Sequence, residues 1–140
     1  MMNSKLAADF DPGIVESFAA ETAPLGIKSM IVEPGLFRTN FLNPQRNTLV
    51  STKFPEYEAL TKGLYSAVAT LNRKQPGDPE KGVAAVLDVV RQEGKAAGRG
   101  IPSRLVLGPD AVDRVKKECL ETIELLKQWE DISTGTNASD

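Results

Sequence analysis

Residues 27–41 read IKSMIVEPGLFRTNF. An apolar run, Met30, Ile31 and Val32, meets the carboxylate of Glu33 and then a Pro-Gly pair, and a mixed segment carrying Arg38 and Thr39 follows. The run over 27–32 is short, unbroken and holds Ile and Val, which predicts a strand covered on both faces, as in a parallel sheet. Pro34 has no N–H for a ladder, and Gly35 has no Cβ, so the strand is expected to end where another group comes close to the backbone. In open α/β sheets ligands bind beyond the carboxyl ends of the strands, and Glu33-Pro34-Gly35 lies at such an end.

On the amino-terminal side, Asp11 is placed to cap a helix whose first turn takes Pro12. Ile14, Phe18, Ala19 and Thr22 recur at three and four residues, giving a helix over 12–23 that Pro24-Leu25-Gly26 ends. On the other side, residues 36–52 are rich in Asn, Thr, Pro and Gln and too long to be an idle connection. Helical periodicity returns over 54–71, with Tyr57, Leu60, Leu64, Ala67, Val68 and Leu71 on one side. Asp78 then caps a helix that starts at Pro79 and carries Val83, Val86, Leu87 and Val90. After a Gly/Ala/Lys loop at 95–100, residues 104–108, RLVLG, read as a second strand. Gly108-Pro109-Asp110 opens a last helix, in which Val112, Val115, Cys119, Ile123, Leu126 and Trp129 keep near-heptad spacing as far as Ile132. From Ser133 the composition turns small and polar, which predicts a disordered tail over 133–140.

At 140 residues, with 41% hydrophobic, 26% charged and 6% aromatic side chains, the chain is sized for one domain with an aliphatic core. Net charge is -2 and Lys and Arg are scattered, so no nucleic-acid footprint is visible. There is no histidine and a single cysteine, Cys119. No metal site is therefore expected, and a Ser-His-Asp hydrolase within these residues is excluded. Cys119 falls on the apolar stripe of the last helix and is expected to be a small buried hydrophobe. No run approaches the roughly 20 apolar residues of a membrane span, and no secretory signal pattern is present, so the expected location is cytoplasmic.

Strands alternating with helices imply right-handed parallel crossovers. Two strands are too few to stand alone, because a parallel sheet needs both faces and most edges covered. The expected fold is α/β: the carboxyl-terminal part of a Rossmann-like doubly wound sheet, with two short parallel strands and about four helices.

The segment ETAPLGIKSMIVEPGLFRTNF, residues 21–41, resembles the sixth strand and following turn of the short-chain dehydrogenase/reductase family, E-x-A-x-x-G-I-x-V-x-x-V-x-P-G-x-x-x-T. GDPEKGVAAVLDVV, residues 77–90, is similar to that family's late helix, and RLVLGPDAVDRV, residues 104–115, to its last strand and closing helix. The resemblance spans roughly residues 14–129 and makes residues 1–132 a partial domain of this family. It implies hydride transfer between NAD or NADP and a small alcohol or carbonyl substrate. In this resemblance the Pro34-Gly35 turn packs near the nicotinamide, Leu36 offers backbone groups to its carboxamide, and Thr39 reaches the carboxamide or pyrophosphate. The loop over 36–71 becomes the substrate-covering segment, and association through helices makes a homo-oligomer the expectation.

The departures from the pattern bear on activity. The family's glycine motif, ribose-selecting residue and catalytic serine belong upstream of this region, and none is present in these residues. Lys5 stands at the lysine of the family's Tyr-x-x-x-Lys, as the catalytic lysine, but the tyrosine position falls on Met1, and Asp11-Pro12-Gly13 lengthens the spacing to the first helix. A lysine without its tyrosine cannot deliver the proton that hydride transfer requires. The 140 residues alone are therefore expected to be inactive; the alternative is a diverged, non-catalytic chain that folds or acts only through a partner subunit. Of the remaining candidates, Arg38 reads as a solvated loop arginine, and Phe37 and Phe41 as residues pinning the loop to the core. Tyr57 and Tyr65 read as core or rim residues, and Trp129 as packing or subunit contact.

Overall fold

A computed structural model describes residues 12–43 and 52–138. Lys5, the Asp11 cap, part of the expected substrate loop and the last two residues of the expected tail lie outside them. The described chain runs α1 (Pro12–Thr22), β1 (Ile31–Pro34), α2 (Glu58–Leu71), α3 (Pro79–Arg91), β2 (Arg104–Leu107), α4 (Pro109–Gln128) and α5 (Glu130–Thr134). This is the expected α/β order, with the last helix divided at Trp129, so that five helices stand where about four were expected.

Local chemistry places most of these boundaries. After α1 a single 3-10 turn, Ala23–Leu25, closes on Gly26, whose φ of 74° is left-handed and whose N–H donates to the Ala23 carbonyl. α2 is entered through a 3-10 turn, Pro55–Tyr57, so the helix proper starts later than its periodicity suggests. α3 begins as its sequence demands: the Asp78 carboxylate accepts the Glu80 N–H at 3.0 Å, and Pro79 occupies the first turn.

β1 and β2 pair in parallel, Ile31 opposite Arg104 and Pro34 opposite Leu107. The strand expected over 27–32 is displaced toward the turn. Its first rung is the Ile31 N–H donating to the Ser103 carbonyl at 2.9 Å, and β2 does not extend back to meet residues 27–30. Nor is it covered on both faces: Val32 is 37% and Ile27 48% exposed. Among the described residues the sheet has two strands, so β1 has a neighbour there on one edge only.

Burial is sparse. Among the described residues only Leu42, Ala96 and Ala111 are buried apolar side chains, joined by Gln75. The stripes of α1 (Ile14, Phe18) and α3 (Val83, Leu87, Val90) are exposed, and so is much of α4. Cys119 is exposed as well, contrary to the expectation of a buried thiol, because the helix face that carries it has no covering element among the described residues. No described helix is long and apolar enough to cross a membrane, and no cluster of metal-ligating side chains occurs among the described residues.

Candidate functional site

The carboxyl end of β1 is fastened at three levels. The Gly35 N–H donates to the Leu107 carbonyl at 2.7 Å and so continues the ladder one residue past Pro34. The Leu36 N–H donates to Oδ2 of Asp110 at 2.8 Å, bringing the first turn of α4 under the Pro-Gly corner. Further on, the Gly77 N–H donates to the Leu36 carbonyl at 2.9 Å and the Arg38 N–H to the Gly77 carbonyl at 2.8 Å, an isolated parallel bridge to the loop before α3.

Gly35 is required by contact rather than by backbone angle, since it is absent from the positive-φ residues. A Cβ built on it would lie 2.6 Å from Oδ2 of Asp110 and 2.8 Å from Cγ, too close for any side chain. The group approaching Gly35 within the described residues is therefore the Asp110 carboxylate, which sits at the amino end of α4 where a negative charge is favoured. Arg114 lies 3.9 Å from it.

Phe37 pins the loop as expected. Its ring lies against Gly77 and Gly82, where an added Cβ would come within 2.9 Å and 2.6 Å of it. Phe41 does not pin: it is 73% exposed. Arg38 is exposed, yet its Nε donates to the Gln75 carbonyl at 3.1 Å, so it is anchored rather than merely solvated. Thr39 starts a 3-10 turn, Asn40–Leu42, its hydroxyl oxygen accepting the Phe41 N–H at 3.3 Å. Beneath the turn Glu33 pairs with Arg104 across the two strands. That hydrogen bond holds the guanidinium above its ordinary pKa against a smaller opposing effect of burial.

Pro34, Gly35, Leu36 and Thr39 thus lie along one corner, with Pro34 and Thr39 exposed and Gly35 and Leu36 partly covered. The Leu36 N–H is committed to Asp110, and its carbonyl, with one bond from Gly77, retains a lone pair. The Thr39 hydroxyl accepts, and its proton is not donated to any described residue. Asp110, Gly77 and Gly82 were not singled out by the sequence as members of this corner. The signal for Asp110 was a carboxylate in Gly108-Pro109-Asp110 at the end of the strand that pairs with β1, but helix capping accounted for it equally well.

No family model matches the sequence, and no curated protein matches it significantly. A crystal structure of a short-chain dehydrogenase from Streptomyces avermitilis is similar to this chain, with 35% sequence identity and a TM-score of 0.69. The similarity covers 91% of this chain but 43% of that protein, so the chain spans less than half the length of its structural relative. In fold and in sequence, this chain has the architecture of the carboxyl-terminal part of the short-chain dehydrogenase/reductase family.

Proposed function

We propose that the chain supplies the nicotinamide side of an NAD(P)-dependent oxidoreductase acting on a small alcohol or carbonyl compound. The observation that carries this reading is the Pro34-Gly35 corner at the carboxyl end of a parallel strand, held by Asp110 below and Gly77 beside it. A ligand-binding corner must be fixed before the ligand arrives, because a mobile one costs ordering free energy on binding. Pro34 presents an exposed apolar ring, the Leu36 carbonyl keeps an acceptor site, and the Thr39 hydroxyl keeps a proton to donate. These groups suit a planar carboxamide-bearing ring, and the bound nicotinamide would supply or accept the hydride. Pro34, Gly35, Leu36 and Thr39 orient that ring, and Lys5 would act on the proton-donating side together with a tyrosine outside these residues. The 140 residues by themselves turn over nothing in this reading, for want of that tyrosine.

Two measurements test it. NADH or NADPH titrated into isotope-labelled chain should displace the amide signals of Gly35, Leu36 and Thr39; displacement confined to other regions would overturn the assignment. The same chain mixed with NADPH or NADH and a panel of carbonyl compounds should show no loss of nicotinamide absorbance, and turnover would refute the inactivity.

A second reading, a non-catalytic chain acting through a partner subunit, draws support from the exposed stripes of α1 and α3. A monomer with a cooperative melt and cofactor-shifted amides at the corner would decide against it.

A further inference from the structure

Arg38 is exposed, yet both its backbone and its side chain are fixed on the loop before α3. Its main-chain N–H donates to the Gly77 carbonyl at 2.8 Å, and its Nε donates to the Gln75 carbonyl at 3.1 Å. The anchor is firm, since Gln75 is 1% exposed. The remaining donors of the guanidinium, on Nη1 and Nη2, reach no acceptor among the described residues. A guanidinium held by Nε presents those two nitrogens as a planar fork, which an oxyanion closes with two parallel bonds.

The contact with Gln75 also gathers positive charge. Arg73 and Lys74 stand two and one residues before that carbonyl, and both are exposed. None of the three cations is ion-paired among the described residues. Asp78, the carboxylate nearest to them along the loop, is turned to the Glu80 N–H as the cap of α3. Arg and Lys side chains are long enough to bring their charges within a Debye length of the fork, about 10 Å at 0.1 M salt. In a chain of net charge -2, the loop therefore carries a local positive excess around one anchored fork.

We propose that Arg38, with Arg73 and Lys74 beside it, is a binding site for an oxyanion, a phosphate or a carboxylate group. The inference rests on the reading of the adjoining corner as a nicotinamide site, and it deepens that reading. Arg38 stands between Leu36 and Thr39, so an anion on its fork belongs to a molecule at that corner or next to it. Two sources have this chemistry: an acidic group on the alcohol or carbonyl substrate, and the phosphates of the cofactor. A free arginine loses rotamer freedom when it grips an anion, and the bond from Nε to Gln75 has already taken part of that loss. A lysine in its place offers a point charge with neither the anchor nor the fork.

The test follows the Arg38 Nε–H signal of the isotope-labelled 140-residue chain, identified by its loss in Arg38→Lys. Inorganic pyrophosphate or levulinate, a carbonyl compound bearing a carboxylate, should displace that signal. Methyl levulinate, the same compound without the charge, should not. Read from the Thr39 amide, Arg38→Lys should weaken anion binding by roughly tenfold, with the rest of the amide spectrum unchanged. Lys74→Gln should weaken it by about two- to threefold at low salt and by less as salt is added. NADH that moves the Nε–H signal and blocks pyrophosphate identifies the cofactor's phosphates as the source. Levulinate binding that persists with NADH present identifies an acidic substrate. The proposal is overturned if neither anion moves the signal, if methyl levulinate moves it equally, or if Arg38→Lys binds as tightly as the wild type. The reading beneath it fails separately: NADH that leaves the Gly35 and Leu36 amides unmoved removes the nicotinamide corner, while pyrophosphate on Arg38 leaves the anion site standing.

Discussion

Replacing Gly35 with alanine isolates the contact between the corner and α4. The backbone of Gly35 lies outside the positive-φ region, so alanine can adopt it, and the cost must come from the carboxylate 2.6 Å from the new Cβ. Relief requires Asp110 to withdraw by about 1 Å to ordinary contact distance, which breaks the 2.8 Å bond from Leu36. A hydrogen bond to a charged group contributes about 1.5–3 kcal/mol. Because the Asp110 side chain is 25% exposed, water replaces part of it, and a loss near 2 kcal/mol is expected. Asp110→Ala alone should lose a similar amount, plus about 0.5 kcal/mol for the charge at the amino end of α4. In the Asp110→Ala background, however, Gly35→Ala meets no carboxylate. It should then be neutral or gain about 0.4–1 kcal/mol by restricting the unfolded chain. Urea unfolding of the four proteins at matched m-values should therefore give a coupling of about 2–3 kcal/mol, with the double variant more stable than the sum of the singles. Additivity within about 0.5 kcal/mol would refute the reasoning, since the two sites would then act independently.

Three further outcomes follow from the same corner and its supports. Asp78→Ala removes the cap on α3 and should cost about 1 kcal/mol of stability in the same urea assay. Phe37→Ala takes away the ring packed on Gly77 and Gly82, and at its partial burial should cost about 2 kcal/mol, less than a core phenylalanine. It should also speed hydrogen exchange of the Arg38 amide bonded to Gly77. Arg104→Met should cost about 1 kcal/mol or less, because the arginine side chain is 45% exposed, and salt should shrink the difference. The hydrogen bond to Glu33 raises the folded pKa of Arg104 above its ordinary value, so its contribution is fully present below that ordinary value and lost only as the pH rises through the raised one. Wild type and Arg104→Met should therefore show no difference in stability slope attributable to Arg104 between about pH 5 and 9.

The sequence was most legible where one residue type had one reason to be present. Asp78-Pro79 and Gly26 fixed helix ends because a cap, a locked φ and a left-handed φ leave few alternatives. The parallel pairing of the two strands followed from their alternation with helices. The extent of β1 did not, because apolar residues at 27–30 satisfy a strand pattern whether or not a neighbour lies opposite, and β2 is four residues long. Asp110 escaped for a related reason: its spacing of 74 residues from Leu36 leaves no local trace, and the helix start beside it supplied a sufficient local explanation. Cys119 was misplaced because periodicity reports which side chains share a face and says nothing of what covers that face.

The position of Pro34 links the sheet to the corner. Ile31 and Gly35 both donate toward β2, so with the two-residue period of a strand the N–H of Val32 points to the opposite edge, and there Pro34 has none. Proline therefore costs the existing ladder no bond and instead removes a donor from the unpaired edge. A further strand laid along that edge could take a donor from Val32 but not from Pro34, whose carbonyl alone could join it beside the Pro-Gly corner. The rung that Gly35 makes on the β2 side and the bond from Leu36 to Asp110 meanwhile keep the corner rigid. One edge is fastened, and the other has lost a donor but keeps the Pro34 carbonyl as an acceptor. The carboxyl end of β1 is thus held firmly from the β2 side, while its other edge carries one donor fewer beside the corner.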